Sequence, residues 1–272
     1  MQLERKREQL ERRGIRVAAV TFDSVETLAH FAERANIGYP LLADTDSAVI
    51  RAFGILNRTV PEDHQFFDMA VPGEYLVAPN RRVRSKYFEE NYRDRGTAGR
   101  TLVHVLDAGP DGRTQRVATP RYTLSAWASD ELVRGGNQFS LIIDLELPAK
   151  MHVYAPEVEG YIPIDWSMED LAGADILPAA YPEPEMLRLP AIGETVPAYE
   201  GSFRLVRDVQ LGQPDDLETA LSDDGYLTFK GSLRLQACDD KVCYVPETVD
   251  LEWKLQFEQH DRKRVPEALR AH

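Results

Sequence analysis

The sequence predicts two domains, an α/β domain with a parallel sheet followed by an all-β antiparallel sandwich. Three observations carry that reading. At 272 residues the chain has length for two domains of about 100–200 residues each. Apolar residues recur at helical spacing between short apolar runs up to residue 106, and alternate with polar ones from residue 119 onward. Charge divides at the same place. Residues 1–115 carry 17 basic and 17 acidic side chains, whereas residues 116–272 carry 15 and 28 and so hold the whole net charge of −13.

In the first domain, residues 1 to 14 read as a charged helix with Leu3 and Leu10 one heptad apart and Gly14 as its stop. Val17 to Phe22 is an apolar run suited to a buried strand. Asp23-Ser24-Val25-Glu26 has the form of a helix start, and Leu28, Phe31 and Ala32 supply the inner face of a helix reaching Ala35. Tyr39 to Ala43 is a second strand, followed by a helix capped by Asp46 that runs through Val49, Ile50 and Phe53 to Gly54. Glu74 to Ala78 and Val83 to Phe88 flank a Pro79-Asn80 turn. The last helix runs from Gly96 to Leu106. This alternation needs a parallel sheet.

Residues 107–118, rich in Gly, Pro and Asp, read as a linker. Beyond it the period is two: Tyr122 to Ala128, Phe139 to Leu147, Phe203 to Leu211, Leu227 and Phe229, Leu233 and Leu235, and Val249 to Phe257. Five or more such strands with turn residues between them predict an antiparallel sandwich. The proline-rich stretch 156–197 reads as loop wrapping one end of the sheets, and residues 261–266 as an exposed basic tail.

The chemistry concentrates in Gln236-Ala237-Cys238-Asp239-Asp240-Lys241-Val242-Cys243-Tyr244-Val245-Pro246, which holds both cysteines of the chain. The turn-prone residues between them allow a tight loop that brings the two Cα atoms to the about 5.5 Å that a disulfide needs. A reversible dithiol/disulfide pair is one reading. A structural staple is another, although closing so short a loop stabilises by only about 2 kcal/mol. Half of a zinc site is a third, but His104, His152 and His260 are scattered and no third cysteine exists. Two unrelated buried thiols are the fourth. Lys241 would favour a thiolate, and Asp239 and Asp240 would oppose it.

Cys-Asp-Asp-Lys-Val-Cys-Tyr-x-Pro between two strands resembles the N-terminal domain of the DsbD thiol:disulfide interchange family, over residues 117–272. The resemblance implies an immunoglobulin-like sandwich whose cysteine pair shuttles electrons at a hairpin. It implies that Cys243 forms the mixed disulfide with a partner and that Cys238 resolves it. By position, Tyr199 and Glu200 in Pro197-Ala198-Tyr199-Glu200-Gly201 resemble the loop that caps the disulfide, with Tyr199 as the covering ring. His152 and Tyr154 resemble strand residues flanking the cysteines.

The first half resembles the AhpC/TSA branch of the thioredoxin-like redoxins. The matching residues are Val20-Thr21-Phe22-Asp23-Ser24, Tyr39-Pro40-Leu41-Leu42-Ala43-Asp44 and Val71 through Pro79. That resemblance implies a cis proline at Pro72. It places the redoxin cysteine upstream of the helix that starts at Met1, so the expectation is an incomplete thioredoxin-like α/β domain (1–106) whose true start lies earlier, joined through 107–118 to an immunoglobulin-like sandwich (119–272).

The acidic balance argues against nucleic acid as a partner, because phosphate binding needs a basic face. No apolar run approaches the ~18 residues of a membrane span, and no leader is visible after Met1. No cofactor and no metal are implied. The expected partners are thioredoxin-like thiol proteins, in the periplasm or the cytoplasm. The expected function is thiol:disulfide exchange, relaying electrons through Cys238 and Cys243 to or from a redoxin-like partner. A non-catalytic binding module with a fixed disulfide is the alternative, as is a peroxidase if an upstream cysteine exists.

Overall fold

The computed structural model describes residues 2–61, 63–64, 67, 69–88, 95–189, 193–261 and 266. The protein is mostly β with few helices, and it divides into two compact units, residues 1–98 with 260–272 and residues 99–259.

The first unit begins with helix α1 (Gln2–Arg12), and Gly14 beyond it has φ +77°, the left-handed conformation that ends a helix without a Cβ penalty. Strand β1 (Ala19–Thr21), helix α2 (Val25–Ala35) and strand β2 (Leu41–Ala43) make a β-α-β unit in which β1 and β2 pair in parallel. Ser24 caps α2 by accepting from the Thr27 N–H at 3.2 Å, and Asn36 closes it in the left-handed region. Helix α3 (Ala48–Ala52) is short. The expected cap, Asp46, accepts from Ala48 N–H, but Asp44 takes Val49 and Ile50 N–H at 3.0 and 2.8 Å. Its burial would raise the carboxyl pKa; these backbone donors outweigh that and lower it. Strands β3 (Gly73–Val77) and β4 (Val83–Phe88) form an antiparallel hairpin, and β5 (Arg95–Gly96) is a two-residue strand. The parallel sheet expected for this half is represented, among the described residues, by the two-stranded β1–β2 ladder, with the β3–β4 hairpin as a separate sheet. No peptide bond among the described residues is cis, so Pro72 is trans where the redoxin resemblance implied cis.

The second unit starts with helix α4 (Ala98–Leu106). Strands β6 (Thr114–Ala118), β7 (Thr123–Ala128), β8 (Leu132–Val133), β9 (Asn137–Glu146), β10 (His152–Tyr154), β11 (Asp165–Met168), β12 (Ala174–Ile176), β13 (Glu185–Leu189), β14 (Glu194–Glu200), β15 (Ser202–Leu211), β16 (Tyr226–Leu235), β17 (Ala237–Cys238) and β18 (Glu247–Phe257) follow. One sheet runs β12-β15-β9-β7-β6, a second β11-β16-β18-β8 and a third β13-β14-β10-β17. All these pairings are antiparallel except β8 with β18. The alternating positions of β7, β9 and β15 (Leu124, Phe139, Leu141, Leu145, Leu205) share one buried cluster with those of β16 and β18 (Leu227, Phe229, Leu251, Trp253). Phe139 and Phe229 meet edge to face at 5.6 Å across the two sheets.

Three sequence expectations need correction here. The linker assignment fails for its second half, because Thr114–Ala118 pairs with Ala118↔Thr123 through Thr114↔Trp127 register against β7. The helix assigned to the end of the first domain belongs to the second unit: Val103 packs with Trp127 and Ile142 on the outer face of the β9–β7 pair. The proline-rich stretch 156–197 is not only loop, since it supplies β11, β12, β13 and the start of β14, with Ile164 and Trp166 fully buried. The basic tail 261–266 lies mostly outside the described residues.

Candidate functional site

The hairpin that carries the cysteines is built by one carboxylate. Asp239 Oδ1 accepts from Lys241 N–H at 2.8 Å and Val242 N–H at 2.9 Å, and its backbone N–H donates to the Val242 carbonyl at 2.9 Å. Tyr244 O–H donates to Asp239 Oδ2 at 2.9 Å. Those bonds, the one from Val242 first, lower the Asp239 pKa.

Backbone bonds join 239 with 242 and 237 with 244, so Cys238 and Cys243 are the non-hydrogen-bonded pair between them. Such pairs approach more closely than hydrogen-bonded ones. The two Cα atoms are 4.0 Å apart and the sulfurs are joined. The turn therefore brings the cysteines nearer than the sequence reading asked.

The two sulfurs have unlike surroundings. Cys238 is 0% exposed and lies in a small apolar cluster with Tyr154, Val196 and Ala198. Cys243 is exposed, between Val242 and Val245, which are 52% and 82% exposed.

Strand β10 runs beside β17, with His152 opposite Cys238 and Val153 opposite Ala237. Its other neighbour is β14, with His152 opposite Glu200, Val153 opposite Tyr199 and Tyr154 opposite Ala198. Side chains on a strand alternate between faces, so His152, Tyr154, Glu200, Ala198 and Cys238 share one face, and Val153, Tyr199 and Ala237 point into the main core.

This alternation places His152, Tyr154 and Glu200 on the face of Cys238 and turns Tyr199, expected beside Glu200 as the covering ring, to the other face. The Tyr199 ring stacks on Phe203 at 4.7 Å and its O–H donates to the Pro182 carbonyl at 2.9 Å, so it is a core residue and does not cover the disulfide. The aromatic beside the sulfur is Tyr154, with its oxygen 3.7 Å from Cys243 Sγ. Burial raises the Tyr154 pKa. Tyr161 packs on it at 4.3 Å between centroids. Tyr161 donates to Glu194, and that bond pushes its pKa up to about 12. Neither Tyr161 nor Glu194 was signalled by the sequence, because both reach the site from a segment that reads as loop.

His152 is 3% exposed, and burial lowers its pKa against the charges of Glu200, Asp240 and Asp239. Pro72 lies in the first unit, apart from this constellation in the chain. Chemically, the arrangement is a bonded pair of sulfurs with one open to attack and the other sealed.

No curated protein matches the chain. In structure it is similar to the N-terminal periplasmic domain of ScsB from Proteus mirabilis, at 15% identity and a TM-score of 0.35, over 52% of this chain and 49% of that one. It thus spans about half the length of that domain. The Neisseria meningitidis DsbD N-terminal domain in the reduced form is similar at 15% identity and a TM-score of 0.28, over 42% of this chain and 74% of that one. Residues 1–86 match the model of the AhpC/TSA family, and residues 126–253 that of the N-terminal domain of the thiol:disulfide interchange protein DsbD. The two matches follow one another along the chain, and the second contains the Cys238–Cys243 pair.

Proposed function

We propose that the second unit exchanges electrons with thiol proteins through the Cys238–Cys243 bridge. The observation that carries this reading is the asymmetry of the pair: Cys243 exposed, Cys238 fully buried behind it. Exchange requires in-line approach of a thiolate to one sulfur. A partner thiolate attacks Cys243 Sγ, the Cys238–Cys243 bond breaks, and Cys238 departs with the electron pair as a thiolate. A second partner thiol then attacks the partner's own sulfur in the mixed disulfide and releases Cys243 as thiolate. The partner ends as a disulfide and this chain as a dithiol, and the reverse sequence passes the electrons onward.

The exposed Val242 and Val245 beside Cys243 suit an apolar partner surface. Within the AhpC/TSA segment there is no cysteine, so the exchanging thiols belong to a group outside these 272 residues. A thioredoxin-like fold for the first unit is supported by its parallel β1-α2-β2 unit and by the family match.

The test equilibrates the protein in glutathione or thioredoxin buffers of roughly −120 to −300 mV, quenches with an alkylating reagent and weighs the products. A titration with a midpoint in that range is expected. Cys238→Ser should hold glutathione as a stable mixed disulfide on Cys243. A bridge that never opens in those buffers while the fold is intact would establish the fixed-disulfide module instead.

A further inference from the structure

His152 has a ring nitrogen without a hydrogen-bond partner in the oxidised site. Its Nε2 is buried and makes no hydrogen bond, an arrangement that costs stability and is rare in folded proteins. The residue stands across the β10–β17 ladder from Cys238 on the same face of the sheet, where opposed Cβ atoms are about 4.5–5.5 Å apart. Cys238 is itself 0% exposed. When the bridge opens, that sulfur becomes a thiolate away from water, and a buried anion is strongly disfavoured unless it is paired or protonated.

We propose that His152 carries the proton of Cys238, a role that rests on the exchange reading above. On closure of the bridge, the Cys238 S–H proton passes to His152 Nε2. The thiolate then attacks Cys243 Sγ, the Cys238–Cys243 bond forms, the bond from Cys243 to the partner breaks, and the partner leaves with the electron pair. After closure the imidazolium gives its proton up to solvent and the ring is neutral again; on opening, Cys238 departs as thiolate and draws a proton from solvent through His152.

The charges around the ring suit both halves of this cycle. Glu200 faces it from β14, and Asp239 and Asp240 from the hairpin turn, with Lys150 3.9 Å from Asp240; Tyr154, on the same strand, packs edge-on at 5.3 Å. Burial keeps the imidazole neutral and so able to accept. The three carboxylates stabilise the imidazolium once it forms.

The test reacts the reduced full chain with 5,5′-dithiobis(2-nitrobenzoate) in a stopped-flow instrument. The first release of chromophore reports attack by Cys243, and the second reports closure by Cys238. In His152→Gln and His152→Phe the second release should slow on the order of a hundredfold at neutral pH, the low end for a positioned proton acceptor. It should converge on the unsubstituted rate at strongly alkaline pH, where hydroxide deprotonates the thiol directly. Equal rates at neutral pH, or a deficit that does not change with pH, would overturn the proposal.

A second measurement needs no substitution. The His152 ring resonance is followed against pH in the oxidised and the reduced protein. A shifted titration in the dithiol is expected, and identical titrations would overturn the proposal. Because a strong chemical reductant makes the dithiol, failure of the exchange reading, a bridge that stays closed in glutathione, is seen separately from failure of the proton role.

Discussion

Asp208 ties α4 to the sheet through Arg100 and His104. Ser140 O–H donates to its Oδ1 at 2.6 Å, His104 Nε2 lies 2.9 Å from that oxygen, and Arg100 donates to Oδ2 at 2.9 Å. Burial pushes this carboxyl up, but the bonds from His104, Ser140 and Arg100 outweigh it and hold the pKa at about 2. An unfolded aspartate titrates near about 3.9, so the folded value is depressed. The stability this group contributes is fully present above that unfolded value and is lost as pH falls towards the folded one. Urea unfolding at about pH 5 and about pH 2.5 should differ by up to about 2 kcal/mol more in the natural protein than in Asp208→Asn; equal differences would refute the assignment. Nothing in the sequence singled out Asp208, because its donors stand 68 to 108 positions away from it in the chain. Cys238 and Cys243 were legible for the opposite reason: five positions and a turn are a local matter.

At the scale of the element, Gly231 decides how β11 joins its sheet. The alternation on either side of it reads as two strands, Leu227 with Phe229 and Leu233 with Leu235, yet Tyr226–Leu235 is one strand pairing β18 along its whole length. A Cβ at Gly231 would stand 2.4 Å from the Ser167 carbonyl oxygen and 2.6 Å from Met168 Sδ, so glycine is what admits β11 to that edge. Gly231→Ala should cost about 1–3 kcal/mol by overpacking, measured by urea unfolding. A neutral result would mean that β11 shifts freely. The period-two pattern identified β7, β9, β15, β16 and β18 because each turns alternate apolar residues into the main cluster. β11 (Asp165–Met168), β12 and β13 escaped it because short edge strands between prolines show too few alternations to count.

For the whole molecule, the apolar cluster spans the sheets of the second unit from Tyr122 to Leu255. A fragment comprising residues 99–259 should fold alone, keep its bridge and unfold in one cooperative step, as seen by circular dichroism in urea. Within it, Phe229→Ala should cost about 3–5 kcal/mol through the cavity left opposite Phe139. A fragment without cooperative unfolding would show that residues 1–98 are needed to complete the fold. By itself the sequence determined that a helix-and-strand half precedes a sandwich, where the long strands run and that two cysteines share a turn, because periodicity, capping and turn chemistry act between residues a few positions apart. Only the tertiary structure decided that Tyr199 lies in the core, that Tyr154 and His152 lie on the face of the sheet that carries Cys238, that α4 packs on the sandwich and that Cys238 is buried while Cys243 is exposed. Strand register and burial depend on which distant segments pair, and a one-residue change of register exchanges every side chain between the two faces of a sheet.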